Sequence, residues 1–568
     1  MSSKLVRLTK VAKGESAADL ILANARVINV FTGEIETGNV AIYGGMIAGV
    51  GDYHQARQVI DLAGKYLAPG FINGHTHIES SMLDIGQYAR AVVPRGTLAV
   101  ISDLHELANV SGLEGIRYIL GSARRLPLEL FLMAPSCVPA THLETSGASL
   151  DKEALRRVFR WRRVIGLGEM MNFPGVISGD DNLFGKIDLA KRRVVDGHAP
   201  GLSGNDLTAY IAAGIYSDHE SVSLKEAREK FRQGMYLMLR EGSSEKNLDS
   251  LLPLVTDKTY KRCFFVVDDR SCRDILKDGD IDAVVRKAIS RGLEPVRAIT
   301  LATINTAEYF GLKRLGAVAP GYVANLIVID ELSNLEIDLV FHRGHLVAKQ
   351  GEPLFSLKQS SSKRLASTIN IKPFNIDALR LMASAKTKSI IEVISGQIIT
   401  KKRLEKVKIV DGIIVPDIGR DILKLVVLER HRASGNIGLG LVMGFGLKYG
   451  ALVSSIAHDS HNVIAVGTND EDIFIGVKEI EKLQGGLAVI ADGKVLGSLA
   501  LPVGGLLSDE PAEVVASKLE TLETLAKDLG VKLPSPFATL SFLALPVIPQ
   551  LRLTDLGLVD VNAFKLIE

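Results

Sequence analysis

The stretch APGFINGHTHIESSM, Ala68 to Met82, decides the fold. A Pro-Gly turn leads into a short apolar step and then two histidines one residue apart. On a β-strand alternate side chains share a face, so His75 and His77 point the same way and could grip one metal ion. They could equally be ordinary polar residues at a strand end. The spacing alone does not separate these readings; the segments downstream do.

From Pro69 to about Leu312, apolar strands alternate with longer helical segments. AVISD, LFLMAPS, VIGLGEM, VVDGHA, GIYSDHE, MYLMLREG and CFFVVDD each run apolar and then stop in a polar cluster. Continuous apolar runs mark strands buried on both faces, and their repetition with helices predicts a parallel β/α array. Eight such units, with chemistry at the C-terminal strand ends, describe a (β/α)8 TIM barrel. The strand ends carry His75 and His77, then Asp103 and His105, then Glu169, His198, His219, Asp268 and Asp269. In a barrel all those ends face one mouth. A lone histidine there is usually a satisfied polar residue, and Glu169 after a glycine also suits the first turn of a helix. Four histidines, a glutamate and an aspartate at successive ends fit that bland account poorly, so His75 and His77 are read as metal ligands.

Imidazole and carboxylate without thiolate suit Zn, Fe or Mn. Such an ion lowers the pKa of bound water from about 15.7 to about 7 in favourable zinc cases. A bridging carboxylate such as Glu169 would hold two ions roughly 3.5–4 Å apart. Asp268 would both ligate and carry a proton from the attacking water to the leaving group, work typically worth about 10²–10⁴ in rate. Asp103, His105 and Glu106 lie at the same mouth, where they either orient substrate or form a network that supports the ligands.

Outside the barrel the texture changes. Short Val/Ile-rich pieces with turns before Leu67, such as DLILANARVIN, and again in GAVAPGYVANLIVID and IDLVFHRGHLVAKQGE, predict small antiparallel strands. The economical account is one β-sandwich with the barrel inserted in it: residues 1–68 and 315–355 for the sandwich, 69–314 for the barrel. SLKQSSSKRLAST reads as a linker (356–368), and 369–568 as a further α/β domain with a long charged helix at EPAEVVASKLETLETLAKDLG.

The 568 residues are 47% hydrophobic and 23% charged with a formal net charge of +2, so no basic surplus advertises nucleic acid or an anionic membrane. Cys137, Cys263 and Cys272 have neither disulfide-framework nor zinc-thiolate spacing. The first thirty residues lack a secretory apolar region, and no apolar run reaches membrane-spanning length, so a cytoplasmic location is expected. The high mean hydropathy of +0.20 predicts a buried parallel sheet and a homo-oligomer, dimer or tetramer.

The H-x-H, Glu169, the two later histidines and Asp268 resemble the amidohydrolase superfamily. GHTHIESSM, APSCVPAT, GLGEMMNFPGV, DGHAPGLSGNDLTAYIAAGI and MLREGSS are similar to the bacterial and archaeal adenine deaminase family. So are ASGNIGLGLVMGFGLKYGALVSSIAHDSHNVIAVGTNDED and SPFATLSFLALPVIPQLRLTD, and the resemblance covers essentially the whole chain. It implies hydrolytic deamination of adenine to hypoxanthine and ammonia, a purine-salvage reaction, on a binuclear centre of Mn, with Fe or Zn as alternatives. It implies His75, His77, Glu169, His198, His219 and Asp268 as ligands, with Glu169 in place of the carbamylated lysine of many superfamily members. Asp268 is then the proton shuttle, Glu169 and His219 act with it, and Asp269 is the lesser candidate. Three departures from the family's pattern stand out: Leu104 in SDLHE where a proline is usual, Ser271 in VDDRS where a histidine is usual, and ATHLE around His142.

The motif AHDSHN places His458, Asp459 and His461 together, with Arg430, His431, Asn436 and Asn462 near in sequence. It contributes to the active site, as a further metal position or a lid over the purine, or it forms a domain-interface network. The competing functions are another amidohydrolase reaction, on a cyclic amide or an N-acyl amino acid, and a non-catalytic scaffold of the same fold. Scaffolds of that kind lose ligands, whereas this chain retains every one.

Overall fold

The computed structural model of the chain describes residues 2–357 and 365–567, so the middle of the expected linker lies outside the described residues. Eight parallel strands run in chain order: β1 (Phe71–Thr76), β2 (Thr97–Asp103), β3 (Glu129–Ala134), β4 (Val164–Met170), β5 (Val194–Gly197), β6 (Ser217–Asp218), β7 (Tyr236–Arg240) and β8 (Cys263–Val266). β1 to β5 form one arc and β6 to β8 another. At one seam Thr76 bridges Asp268, just past β8. At the other, the Gly197 N–H donates to Ser217 Oγ at 3.1 Å.

The apolar runs are continuous because both strand faces are buried. Ile72, Ala99, Ile101, Met133, Met238, Phe264 and Val266 share one cluster with Phe310, Leu312 and Leu315. Their neighbours Phe71, Leu98, Val100, Leu132, Leu237, Leu239 and Phe265 belong to the larger cluster under the helices. This period-two division is what a strand covered on each side requires.

Strands from the two ends of the barrel segment join in one nine-stranded sheet, in which Tyr66–Pro69 pairs antiparallel with Leu326–Ile329. The sheet curls over its own core, with Ile42, Ile47, Leu67, Leu326 and Phe341 in one cluster and Met46 bridging Val323. The C-terminal part holds an eight-stranded sheet. In its strand Ile422–Leu428, Val426 and Leu428 face the helix Asp470–Leu483, while Leu423, Leu425 and Val427 join the cluster that runs on into the barrel. The C-terminal part is therefore packed against the barrel through shared apolar surface. No described helix is long and apolar enough to cross a membrane.

Candidate metal centre and active site

The strand ends do converge. His75 is the penultimate residue of β1 and His77 comes directly after that strand, Glu169 is the penultimate residue of β4, and His198 and His219 come directly after β5 and β6. The rings of His75 and His77 lie 4.9 Å apart between centroids, those of His75 and His219 stack at 4.5 Å, and those of His198 and His219 are 5.2 Å apart. Glu169 is the hub. Its Oε1 is 3.2 Å from His77 Nε2, while its Oε2 is 2.8 Å from His198 Nδ1 and 3.2 Å from His219 Nε2. Asp268 Oδ1 lies 3.1 Å from His77 Nε2 and 3.4 Å from His75 Nε2.

These donors fit a metal centre. His75 is fully buried, and neither of its ring nitrogens has a hydrogen-bond partner among the described residues; His219 Nδ1 is in the same position. A buried, unsatisfied imidazole is costly unless a ligand satisfies it. His77 Nδ1 lies 3.0 Å from the Asp103 carbonyl, so it carries the proton and leaves the Nε2 lone pair facing Glu169 and Asp268. Orienting a ligand through its second ring nitrogen is usual in metal sites. The triads His75–His77–Glu169, His75–His219–Asp268 and Glu169–His198–His219 each bring their donor atoms within 4.8 Å of one another.

The electrostatics follow from crowding. Burial pulls His75 down to about 4, with His219 adding to it. For Glu169 burial pushes upward, but His198, His219 and His77 outweigh it and hold the carboxyl well below its ordinary range. Burial likewise opposes ionisation of Asp268, and His75, His77 and Arg240 hold it well below. Asp103, buried with less compensation, rises to about 6.

The backbone fixes these groups. Asp268 adopts a left-handed φ of 58°, uncommon for a residue with a side chain. Its N–H donates to the His75 carbonyl at 3.0 Å, and its own carbonyl accepts from Thr76 Oγ1 at 2.9 Å, which ties it to β1. Beside Glu169, Gly168 is required for close approach, since a Cβ there would come within 1.8 Å of Asp103 Oδ2.

Two residues escaped the sequence reading. Arg240 ends β7 almost fully buried, donating from Nη1 to Asp268 Oδ2 at 2.6 Å and from Nη2 to Glu220 Oε2 at 3.2 Å. Glu220 in turn has Oε1 3.4 Å from His219 Nε2. Both stand at strand ends like the others, in MLREG and SDHE. That position was the available signal, but an arginine is no metal ligand and so drew no notice.

The C-terminal motif reaches the same mouth. Asp459 Oδ1 is 3.8 Å from His105 Nε2, whose ring partner Nδ1 is 4.0 Å from Glu169 Oε1. His458 Nδ1 is 3.0 Å from Glu106 Oε1, and His461 Nε2 is 3.8 Å from Glu106 Oε2. Asp269 accepts from Ser80 Oγ and lines the cleft. Arg430, His431, Asn436 and Asn462 are elsewhere engaged: Asn462 donates to the Thr145 carbonyl at 2.9 Å and His431 Nε2 meets the Ser460 carbonyl at 2.7 Å, an interface network. Ile398, Phe542, Leu545 and Ile548 line a cleft over the histidines.

Residues 66–347 match the Amidohydrolase family, and residues 397–565 match the Adenine deaminase C-terminal domain. An adenine deaminase of Dehalococcoides mccartyi (strain ATCC BAA-2266 / KCTC 15142 / 195) is 62% identical over 567 residues, covering 100% of this chain and 99% of that protein. The chain belongs to the adenine deaminase family. Adenine deaminase 2 of Carboxydothermus hydrogenoformans is 48% identical over 99% of this chain and 98% of its own. A β-aspartyl dipeptidase of Fervidobacterium islandicum AW-1 aligns over 60% of this chain and 100% of its own, at 17% identity and a TM-score of 0.47. Within this adenine deaminase framework the departures have local reasons. Leu104 is fully buried in the core ahead of the helix His105–Ser122, and Ser271 caps the helix Cys272–Lys277 by accepting from the Asp274 N–H.

Proposed function

We propose that this chain hydrolyses adenine to hypoxanthine and ammonia, with His75, His77, Glu169, His198, His219 and Asp268 holding two divalent ions, manganese first and iron or zinc next. The observation that carries this reading is Glu169, whose two oxygens face different histidines. Bound there, the ions supply Lewis acidity and bring the pKa of water down towards about 7. The protein does the rest. Asp268, an anion held by Arg240 at Oδ2, has Oδ1 for the proton of the attacking water. As the C6–O bond forms and the C6–N6 bond breaks, that proton passes to the departing amine. The apolar roof of Ile398, Leu545 and Ile548 covers the flat purine and keeps bulk water away from the reacting carbon. Asp103 and His105 orient the ligands, and Glu106, His458 and Asp459 complete the mouth from two parts of the chain.

The test is turnover of adenine by protein stripped of metal and reloaded with Mn²⁺, read by ultraviolet absorbance and ammonia release, with Asp268→Asn alongside. The expected result is no activity without metal, activity on reloading, and a loss of about 10²–10⁴ in kcat for Asp268→Asn with both ions retained. Protein that holds two ions per chain yet leaves adenine untouched would overturn the substrate. Protein that binds no metal would overturn the centre.

A further inference from the structure

The proposed function gives the C-terminal part of the chain a covering role but no proton to move, yet it sends His458 to the barrel mouth. The imidazole is nearly buried, stacks on Phe542 at 4.5 Å, and lines two adjoining clefts: the one over the histidines, and a larger, serine-rich one between the barrel loops and the C-terminal part. Its Nδ1 is 3.0 Å from Glu106 Oε1, a carboxylate supplied by the helix after β2. Since the carboxylate accepts, Nδ1 carries a proton. Nε2 is then the nitrogen left for the clefts that His458 lines.

Glu106, His458 and His461 together offer metal-like spacing. The hydrogen bonding argues against an ion there. The Ala457 N–H donates to His461 Nδ1 at 3.2 Å, so the neutral His461 ring carries its proton on Nε2, the atom that faces Glu106. The trio is thus one carboxylate that accepts from His458 at 3.0 Å and is faced by the His461 N–H at 3.8 Å, an arrangement that favours a cationic His458 ring and leaves a proton a metal would have to displace.

Building on the adenine reading, we propose that His458 is a catalytic residue: its Nε2–H protonates a ring nitrogen of the purine, N1, as water adds at C6. The addition places a negative charge on the ring, and the proton neutralises it. That proton stays on N1 of the hypoxanthine product. One water proton leaves with the amine as ammonia and the other returns to solvent, from which His458 is recharged, so atoms and charge balance. The surroundings suit an acid. Glu106 and His105 face it from the helix, Asp269 from the loop after β8, and Asp459 and His461 from its own loop; Phe542 adds no charge. Burial opposes the charged ring, but Glu106, then Asp269 and Asp459, outweigh it and push His458 up to about 9.

The experiment measures kcat and KM against pH for the Mn²⁺-loaded wild type, His458→Gln and Glu106→Gln, with bound metal quantified in each. A group whose protonated form works loses activity as pH rises through its pKa. The wild type should therefore fall off near pH 9. His458→Gln should lose about 10²-fold in kcat, keep KM within about threefold and both ions, and lose that alkaline limb. Glu106→Gln should fold with His458 present and move the limb to lower pH, because the anion that favours the imidazolium is gone. An unmoved limb in either variant overturns the proposal, as does a rise in KM alone at unchanged kcat. If His458→Gln is unstable, the Glu106→Gln profile decides by itself. A wild type that is silent on adenine overturns the substrate reading, and this assignment with it; a wild type that turns over with variants that match it overturns this assignment alone.

Discussion

Glu129 and Glu169 sit in neighbouring strands at opposite ends of the barrel, and each has a side chain only 4% exposed. Each has three nitrogen-bearing side chains within 3.2 Å of its oxygens. At the start of β3, Glu129 accepts from Arg163 Nη1 at 2.7 Å, Arg343 Nε at 2.7 Å and His342 Nε2 at 3.2 Å. Near the end of β4, Glu169 is ringed by imidazoles alone. A guanidinium has five donors and no lone pair, so it closes the account with Glu129 permanently. Imidazole can give up its proton and offer a lone pair, so the Glu169 cluster is satisfied as well by a cation as by protons. The same carboxylate therefore binds the outer sheet to the barrel floor at one end and forms a site at the other. Chemistry at the C-terminal strand ends and stability at the floor is the division expected of this fold.

Exchanging the acid for its amide at each end tests that contrast most severely. Glu169→Gln should lose bound metal and fall to background turnover, with thermal stability close to that of metal-free wild type; ammonia release and metal analysis read it. Retained metal with ordinary turnover would mean the hub is structural. Arg240→Met probes the exception, a guanidinium at the functional end. Its expected cost is about 10² in kcat with KM little changed, because Asp268 loses the bond that fixes Oδ2. The double variant Glu220→Gln/Arg240→Met separates positioning from charge balance. It removes a carboxylate together with the cation, so recovery of kcat there would show that Arg240 serves only to neutralise Glu220.

These two residues also mark how far a sequence carries. The eight strands and the six metal-type donors were legible, because buried parallel strands are apolar on both faces and their ends stand out. Tyr66–Pro69 meeting Leu326–Ile329 was legible as an economy, since strands at both ends of the barrel lacked partners. Arg240 was not: its place at a strand end was the one local signal, and nothing in the sequence shows that this one of 67 lysines and arginines is buried between two carboxylates. Nor was the Glu106–His458 pair. Its partners are some 350 residues apart, and only the packing of the C-terminal sheet on the barrel, through side chains such as Leu425 and Val427, brings them together. Apolar pattern tells which face of a strand is covered, not by what.

At the barrel floor the expected effect is on stability alone. Glu129→Gln removes the charge that Arg163, Arg343 and His342 share and puts an NH2 donor where one of the two acceptor oxygens stood, and breaking a fully buried pair costs about 3–5 kcal/mol. Arg343 and Arg163 are 52% and 38% exposed and can turn to water, so about 1–3 kcal/mol is expected here. Turnover and bound metal should not change. The pH dependence has a definite sign. Burial opposes ionisation, but His342, Arg163 and Arg343 hold the folded carboxyl below its ordinary value. The stabilisation is therefore complete above the unfolded pKa of about 4.3 and is lost as pH falls towards the folded value. Denaturation of wild type and variant should differ most at neutral pH and converge in acid; a constant gap would show that packing, not charge, is responsible.

The smallest effect tests whether position at the mouth is enough to make a residue functional. Ser271 stands three residues after Asp268, where the family resemblance places a histidine, yet its hydroxyl accepts from the Asp274 N–H at 3.2 Å and so caps the helix Cys272–Lys277. Its own N–H donates to Ser243 Oγ at 2.9 Å, a bond that any side chain would leave in place. Replacing a serine N-cap by alanine typically costs about 0.5–2 kcal/mol. Ser271→Ala should therefore lower the thermal midpoint slightly and leave kcat and KM for adenine as they were. A changed KM at unchanged stability would place Ser271 with the Glu169 end of the comparison. A lowered midpoint at unchanged kinetics would place it with Glu129, as a structural residue only three positions from Asp268.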